Sequence, residues 1–242
     1  MQNHLFDLMQ CLIDFQHVER VINVPGTDRK ENDTEHSYNL AIAAWVIILK
    51  DNLSLDIGKV LRYALVHDLV ELYAGDSNAL SASETATKAE REAAGLQRLE
   101  AHPVLGVLYP YIHAYENRSD EEAKFVYSLD KILPGLEIIL SKQKTWIEHN
   151  ISPQQWQAIF KEKATLSLYT QPYFEALIDT QAKHPELFLG HKDWLPNKYA
   201  CQEWRSLNLR QLQRKCHGGS LVQNIKYAYL QIHVTSTYND FD

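Results

Sequence analysis

The chain reads as all-α, and three observations predict it. Glycine and proline are few, 9 and 8 among 242 residues, so long stretches run without a breaker. Within those stretches apolar residues recur at three- and four-residue spacing, the period of a helix face and not of a strand. Hydrophobic residues at 45% and charged residues at 23% match ordinary globular usage, which sets aside disordered and fibrous classes and leaves enough apolar surface for a core. One core over residues 1–184 is expected, with a helical C-terminal extension over residues 185–242 packed on it. No internal repeat or low-complexity linker marks a second, independent domain.

The first helix is expected over Leu5 to Arg20, with Leu5, Leu8, Leu12 and Phe15 in a stripe, ending before the turn residues Asn23-Val24-Pro25-Gly26. A polar loop through Asp28, Arg29, Lys30 and Glu31 follows. Asp33 or Thr34 can cap the free N–H groups of a second helix that runs through Trp45 to Lys50 and carries His36 in its first turn. A third helix over Asp56 to Tyr73 turns Ile57, Leu61, Ala64 and Leu65 inward, holds His67, Asp68 and Glu71 in its last half, and finds a left-handed cap in Gly75. From Ser83 to just before Pro103 a helix rich in Ala, Glu and Arg presents a long polar face.

Ser119-Asp-Glu-Glu122 has the form of a capping box opening the next helix, whose Phe125, Val126, Leu129, Ile132 and Leu133 surround Asp130. Pro134 has no N–H to return to the Asp130 carbonyl, so a kink is expected just after Asp130. Ser152-Pro153-Gln154-Gln155 starts a further helix pair reaching about Lys183. Beyond His184-Pro185 a helix from Lys198 to Lys215 precedes the Gly218-Gly219 break.

Composition also excludes functions. A formal net charge of -7 argues against binding DNA or RNA polymers, whose backbones demand clustered Lys and Arg, so any nucleic-acid-like partner should be small. The longest apolar stretches, such as Leu40 to Leu49, fall far short of the roughly 20 residues that span a bilayer, and no signal core follows the N-terminus. No membrane association and a cytoplasmic location are the expectations. Cys11, Cys201 and Cys216 lack paired spacing and read as reduced structural thiols.

The adjacent His67-Asp68 pair concentrates the chemistry, because neighbouring side chains on a helix both turn inward only when they share a target. A divalent cation is the simplest one. An imidazole and carboxylate donor set suits Zn, Mn, Co, Ni or Fe(II), and the absence of sulfur argues against a purely structural zinc site. His36 precedes this pair by about thirty residues and Asp130 follows it by about sixty, each on its own helix. Asp130 has an alternative reading as a buried carboxylate paired with Arg62 or Lys131, although a cation compensates its burial better.

In this order, H, then HD, then D, the chain resembles the HD-domain superfamily of metal-dependent phosphohydrolases. Two strings sharpen the likeness, Arg29-Lys-Glu-Asn-Asp-Thr-Glu-His-Ser37 and His67-Asp-Leu-Val-Glu-Leu-Tyr-Ala-Gly-Asp76, which look like the branch of bacterial 5'-deoxynucleotidases over roughly residues 1–150. The resemblance implies a helical HD-domain bundle in which His36, His67, Asp68 and Asp130 hold one divalent metal ion (Co, Mn, Mg, Fe, Ni or Zn). It also implies that Glu71 and Asp76 are the catalytic acids, without settling which is the base, and that the protein is a homodimer. The activity implied is hydrolysis of a small phosphate monoester, a nucleoside 5'-monophosphate first of all, by a metal-activated water.

A dianionic phosphate needs cationic donors, and Arg20, Arg29 and Lys131 are those nearest the motifs, with Arg20 the first choice. In the nucleotidase branch the arginine ending the first helix is followed by a tryptophan. Here Val21 follows Arg20, so a deoxyribonucleotide preference does not carry over. The alternatives are a phosphodiesterase or alarmone pyrophosphohydrolase on the same ligands, or a non-catalytic helical binding protein stabilised by its metal. The alarmone enzymes place Glu-Asp together three residues after the HD aspartate, whereas this chain has Glu71-Leu72 with Asp76 apart. Glu71 also reads as a solvated helix residue and Asp76 as a turn former. The remaining histidines read as surface or packing residues, and Trp146, Trp156, Trp194 and Trp204 as core or interface aromatics.

Overall fold

A computed structural model describes residues 2–76 and 82–188. Of the expected extension over 185–242 only residues 185–188 are described, with Leu187 and Phe188 packed into the core; the rest, with its helix from Lys198 to Lys215, lies outside the described residues. The all-α expectation holds. The helices are α1 (Gln2–Phe15), α2 (Asp33–Asp51), α3 (Ile57–Val66), α4 (Glu71–Ala74), α5 (Ala82–Glu100), α6 (Tyr109–Glu116), α7 (Glu121–Ser141), α8 (Thr145–Glu148), α9 (Pro153–Ala164) and α10 (Gln171–Gln181). Among the described residues no helix is long and apolar enough to cross a membrane.

The first departure is an antiparallel hairpin, β1 (Glu19–Asn23) with β2 (Lys30–Asn32), where the first helix was expected to continue to Arg20. Helix α1 stops at Phe15, its only buried residue among those whose side chains are described; Leu5 and Leu12 of the expected stripe are exposed. The run Arg20-Val21-Ile22 is β-branched beyond its arginine, and β-branched side chains favour strand geometry.

The α2 cap also lies one residue earlier than expected. Asn32, with extended backbone, accepts the Glu35 N–H at 3.0 Å, and the Glu35 carboxylate accepts the Asn32 N–H at 3.2 Å, a complete capping box. Asp33 is thereby freed from capping and fully buried in the first turn. Likewise Asp120, not Ser119, caps α7, accepting the Ala123 N–H at 2.9 Å.

The expected helix from Asp56 to Tyr73 is broken. It starts at the Asp56 cap but α3 ends at Val66, and residues 67–70 form a turn closed by three-residue bonds, Leu69 N–H to Val66 O and Glu71 N–H to Asp68 O, before α4 begins. The inward face of α3 is Val60, Tyr63, Ala64 and Val66, while Leu65 points to solvent. Gly75 has the positive φ expected of it, 70°, but with ψ 147° it is not left-handed helical.

Helix α7 is the spine. It runs on through Pro134 to Ser141, and its buried face joins two apolar clusters. Phe125, Val126 and Leu129 pack with Leu40 and Ala44 of α2 and with Val60 and Ala64 of α3. Ile132, Ile138 and Ile139 pack with Trp146, Trp156, Phe174 and Leu177 of α8 to α10 and with Ile22 of β1. Gly135 makes the second contact close: a Cβ there would stand 3.0 Å from Leu177 Cδ2 and 3.1 Å from Trp156 Cζ2. A third cluster joins Phe15, Val66, Leu69, Leu99 and Ile112.

Candidate metal centre

Where α2, the 67–70 turn and α7 converge, the four expected ligands meet. A regular helix separates neighbouring side chains by about 100°; the tightened turn after Val66 instead brings His67 and Asp68 to one point, His67 Nε2 lying 3.0 Å from Asp68 Oδ2. His36 Nε2 is 4.0 Å from the same Asp68 oxygen. One ligand atom from each of His36, His67 and Asp68 falls within a 4.8 Å span. Asp130 Oδ1 completes the group at 2.8 Å from His36 Nε2 and 3.8 Å from His67 Nε2, while its Oδ2 accepts from the Lys131 ammonium at 2.5 Å. Both readings of Asp130, ligand and partner of Lys131, are thus satisfied by different oxygens.

The donor set fits a divalent cation. His67 Nδ1 lies 2.9 Å from the Ala64 carbonyl, which places the ring proton there and leaves Nε2 a lone pair. That Nε2 is buried with no hydrogen-bond partner among the described residues. Without a cation the two carboxylates draw a proton instead: burial disfavours a charged His67 ring, yet Asp68 and Asp130 outweigh it and raise its pKa to about 10. At His36, burial and then Arg20 prevail over Asp130 and lower the pKa to about 4.

A cavity of about 140 Å³ opens beside this cluster. Asp68 and Asp130 line it, and so do the expected acids Glu71 and Asp76 and the expected cations Arg20 and Lys131. Glu71 is buried; that burial, helped by Asp68 and opposed by Lys88, pushes its carboxyl up to about 8. Arg20 reaches three acids, Asp33 Oδ1 and Asp68 Oδ2 at 3.0 Å each and Glu31 Oε2 at 3.4 Å. Gln143 fixes the strand that carries it, accepting the Asn23 N–H at 2.9 Å and donating to the Asn23 carbonyl at 2.7 Å.

Arg29 is not brought to the cavity. It makes a forked pair with Glu35 at 2.7 and 2.9 Å on the exposed end of the hairpin, so its nearness in sequence to His36 misled. Lys88 of α5 takes a place there instead, its ammonium 3.6 Å from Glu71 Oε1 and 3.0 Å from Glu92. Nothing in the Ala- and Glu-rich α5 sequence distinguishes this lysine. Glu31 and Asp33, which hold Arg20, carried a faint signal: two acids just before His36 with no nearby apolar pattern to explain them.

The comparisons with known proteins agree with this geometry. The family model described as HD domain matches residues 14–168. The protein named 5'-deoxynucleotidase HDDC2 from Homo sapiens is 32% identical over 109 residues, 44% of this chain and 52% of its own length. Its Mus musculus counterpart is 31% identical over 109 residues, 44% of this chain and 53% of its own. The chain therefore spans about half the length of the curated relatives it matches. A solved structure described as "Predicted metal-dependent phosphohydrolase" from Magnetospirillum magnetotacticum superposes with a TM-score of 0.63 at 25% identity, covering 76% of this chain and 98% of that one. The PH0347 protein from Pyrococcus horikoshii shares the fold, with a TM-score of 0.50 at 24% identity over 71% of this chain and 99% of that one.

Proposed function

The chain belongs to the HD domain family, and from that premise we propose that it hydrolyses small phosphate monoesters with the help of one divalent cation, nucleoside 5'-monophosphates being its substrates. One observation carries the proposal: Asp68 and Asp130, two of the four candidate ligands, border one cavity together with the acids Glu71 and Asp76 and the cations Arg20, Lys88 and Lys131.

His36, His67, Asp68 and Asp130 would hold the cation. When bound, it polarises a phosphoryl oxygen and lowers the pKa of a water. Lys131 and Lys88 supply positive charge for the dianionic phosphate, and Arg20 adds a planar fork already fixed in direction by its three carboxylates. Glu71, raised in proton affinity by its burial, takes the proton of the attacking water, and Asp76 serves the leaving alkoxide. The 5'-deoxynucleotidase name of the relatives supports nucleotides as substrates.

The test is release of inorganic phosphate from a panel of nucleotides and sugar phosphates by metal-stripped protein resupplied with Mn, Co or Mg. Cation-dependent release is expected, and Glu71→Gln is expected to lower kcat by about a hundredfold or more with metal content and Tm retained. Folded, cation-loaded protein that cleaves no monoester would overturn the proposal. Turnover unaffected in Glu71→Gln would remove Glu71 from its role.

A further inference from the structure

The two candidate histidine ligands differ at the ring nitrogen that faces away from the cation. His67 Nδ1 is fixed by the Ala64 carbonyl at 2.9 Å, whereas His36 Nδ1 is buried with no hydrogen-bond partner among the described residues. His36 Nε2 lies 2.8 Å from Asp130 Oδ1. A carboxylate only accepts, so the single proton of the neutral His36 ring sits on Nε2. A ligand needs the opposite arrangement, with Nε2 bare and the proton on Nδ1.

The hairpin supplies what Nδ1 would donate to. Glu31 is the middle residue of β2, and strand alternation buries its side chain while those of Lys30 and Asn32 stay partly exposed. Because Asn32 caps α2, the strand runs directly into the helix that carries His36, and Glu31 Oε2 comes to 3.9 Å from His36 Nδ1. That oxygen is itself buried without a hydrogen-bond partner among the described residues, the Arg20 Nε–H at 3.4 Å being too poorly aligned to bond it. Oε1 has a long bond, 3.4 Å, from Asn39 Nδ2. A buried carboxyl group so thinly supplied with donors is costly. With the ring proton on Nε2, Nδ1 and Oε2 are two acceptors side by side and keep apart. A proton on Nδ1 turns that repulsion into attraction, and a closing of about 1 Å then makes a hydrogen bond of ordinary length.

We propose that Glu31 is a positioning residue for the cation: its carboxyl group accepts the His36 Nδ1–H and so fixes the ring in the tautomer whose Nε2 is a ligand. The inference rests on the reading of His36 as a ligand, and adds to it an acid that touches neither cation nor substrate. Both strands of the hairpin then serve the site, β1 through Arg20 and β2 through Glu31.

The test titrates metal-stripped protein with Zn2+ and needs no turnover. By calorimetry Glu31→Met, which keeps the bulk of the side chain without an acceptor, should bind Zn2+ about 10- to 100-fold more weakly than wild type. Glu31→Gln, whose side-chain carbonyl still accepts, should stay within about fivefold of wild type. Nitrogen NMR of protein labelled at histidine reads the ring itself. Saturating Zn2+ should move the His36 proton from Nε2 to Nδ1, with the Nδ1–H resonance displaced downfield by its hydrogen bond in wild type and not in Glu31→Met. His36→Ala serves as the reference for a lost ligand. Glu31→Met that binds as tightly as wild type, beside a weakened His36→Ala, overturns this inference and leaves the ligand reading standing. His36→Ala that binds as wild type does, or wild type that binds no Zn2+, overturns both. Should Glu31→Met fail to fold, the wild-type spectra decide: a displaced Nδ1–H supports the inference, and an undisplaced one, or a proton that stays on Nε2 at saturation, overturns it.

Discussion

Arg20 is the residue on which the charged lining of the cavity turns, because one guanidinium answers for three carboxylates. Asp33 is fully buried, and its own environment is unfavourable to charge: burial and then Asp68 raise its pKa to about 8 even with Arg20 pulling it down. Arg20→Ala would leave that carboxyl buried without its counter-charge, which costs about 3 kcal/mol in comparable pairs. The loss should deepen as pH rises, since a carboxyl whose folded pKa is raised stabilises the fold while protonated and ceases to as pH climbs through the folded value. Urea denaturation at pH 6 and pH 9 checks this, with the double variant Arg20→Ala, Asp33→Asn expected to regain part of the stability at the higher pH. An equal, pH-independent loss in both variants would show that packing, not charge, is what Arg20 contributes. At this scale the sequence is legible where chemistry repeats a spacing. His36, His67, Asp68 and Asp130, which the family resemblance implied as ligands, lie together in space, while Lys88 is invisible because α5 reaches the cavity only through tertiary packing.

At the scale of elements, helix α7 sets the position of Asp130 and Lys131, and its first turn is fastened by Asp120. Partial burial works to raise the Asp120 carboxyl, but the Lys59 ammonium at 2.7 Å, the Ala123 N–H at 2.9 Å and the Tyr63 hydroxyl at 2.9 Å outweigh it and hold the group below the ordinary aspartate value. A depressed folded pKa contributes stability that is present above the unfolded value of 3.8 and lost as pH falls through the folded one. Asp120→Ala should therefore cost about 1 kcal/mol at neutral pH, chiefly as a lost helix cap, and the difference from wild type should shrink below about pH 4. Thermal melts from pH 7 to pH 3 measure it; a gap that stays constant across that range would refute the charged-cap account. The elements themselves were readable where local rules act alone, as in the Ser152 capping box and the apolar face of α7. They were misread where tertiary contacts decide. The β1 strand forms because Ile22 has a core to enter and Gln143 a backbone to hold, and the break after Val66 keeps a helical apolar pattern on both sides of it.

Across the whole molecule, the ligand cluster ties segments far apart in the chain: the start of α2, the turn before α4 and the middle of α7. Burial works against the charge of both acids of that cluster, and at Asp68 so does Asp130 beside it, yet His67 and Arg20 at Asp68, and Lys131, His36 and His67 at Asp130, outweigh this and hold both carboxyls below the ordinary aspartate range, so both offer charge to a cation. This long-range convergence was legible through the family resemblance, which implied that H, HD and D share one site, although the HD pair reaches it from a turn and not from the helix expected. The cavity beside it was not, because its walls come from β1, α5, α7, α8 and α9, which no linear spacing relates. A cation that binds only the folded state must raise its stability by mass action, by about 2.7 kcal/mol at a hundredfold excess over Kd. For a domain of this size that corresponds to a rise in Tm of roughly 5–10 °C. Calorimetric scans of stripped protein over a series of Mn concentrations should show that rise growing with the logarithm of concentration, and chelation should reverse it. His67→Ala and Asp130→Asn should lose the dependence, whereas Glu71→Gln, which keeps the four ligands, should retain it. If His67→Ala responds to the cation as wild type does, the stabilising ion binds elsewhere and the three segments are joined by apolar packing alone.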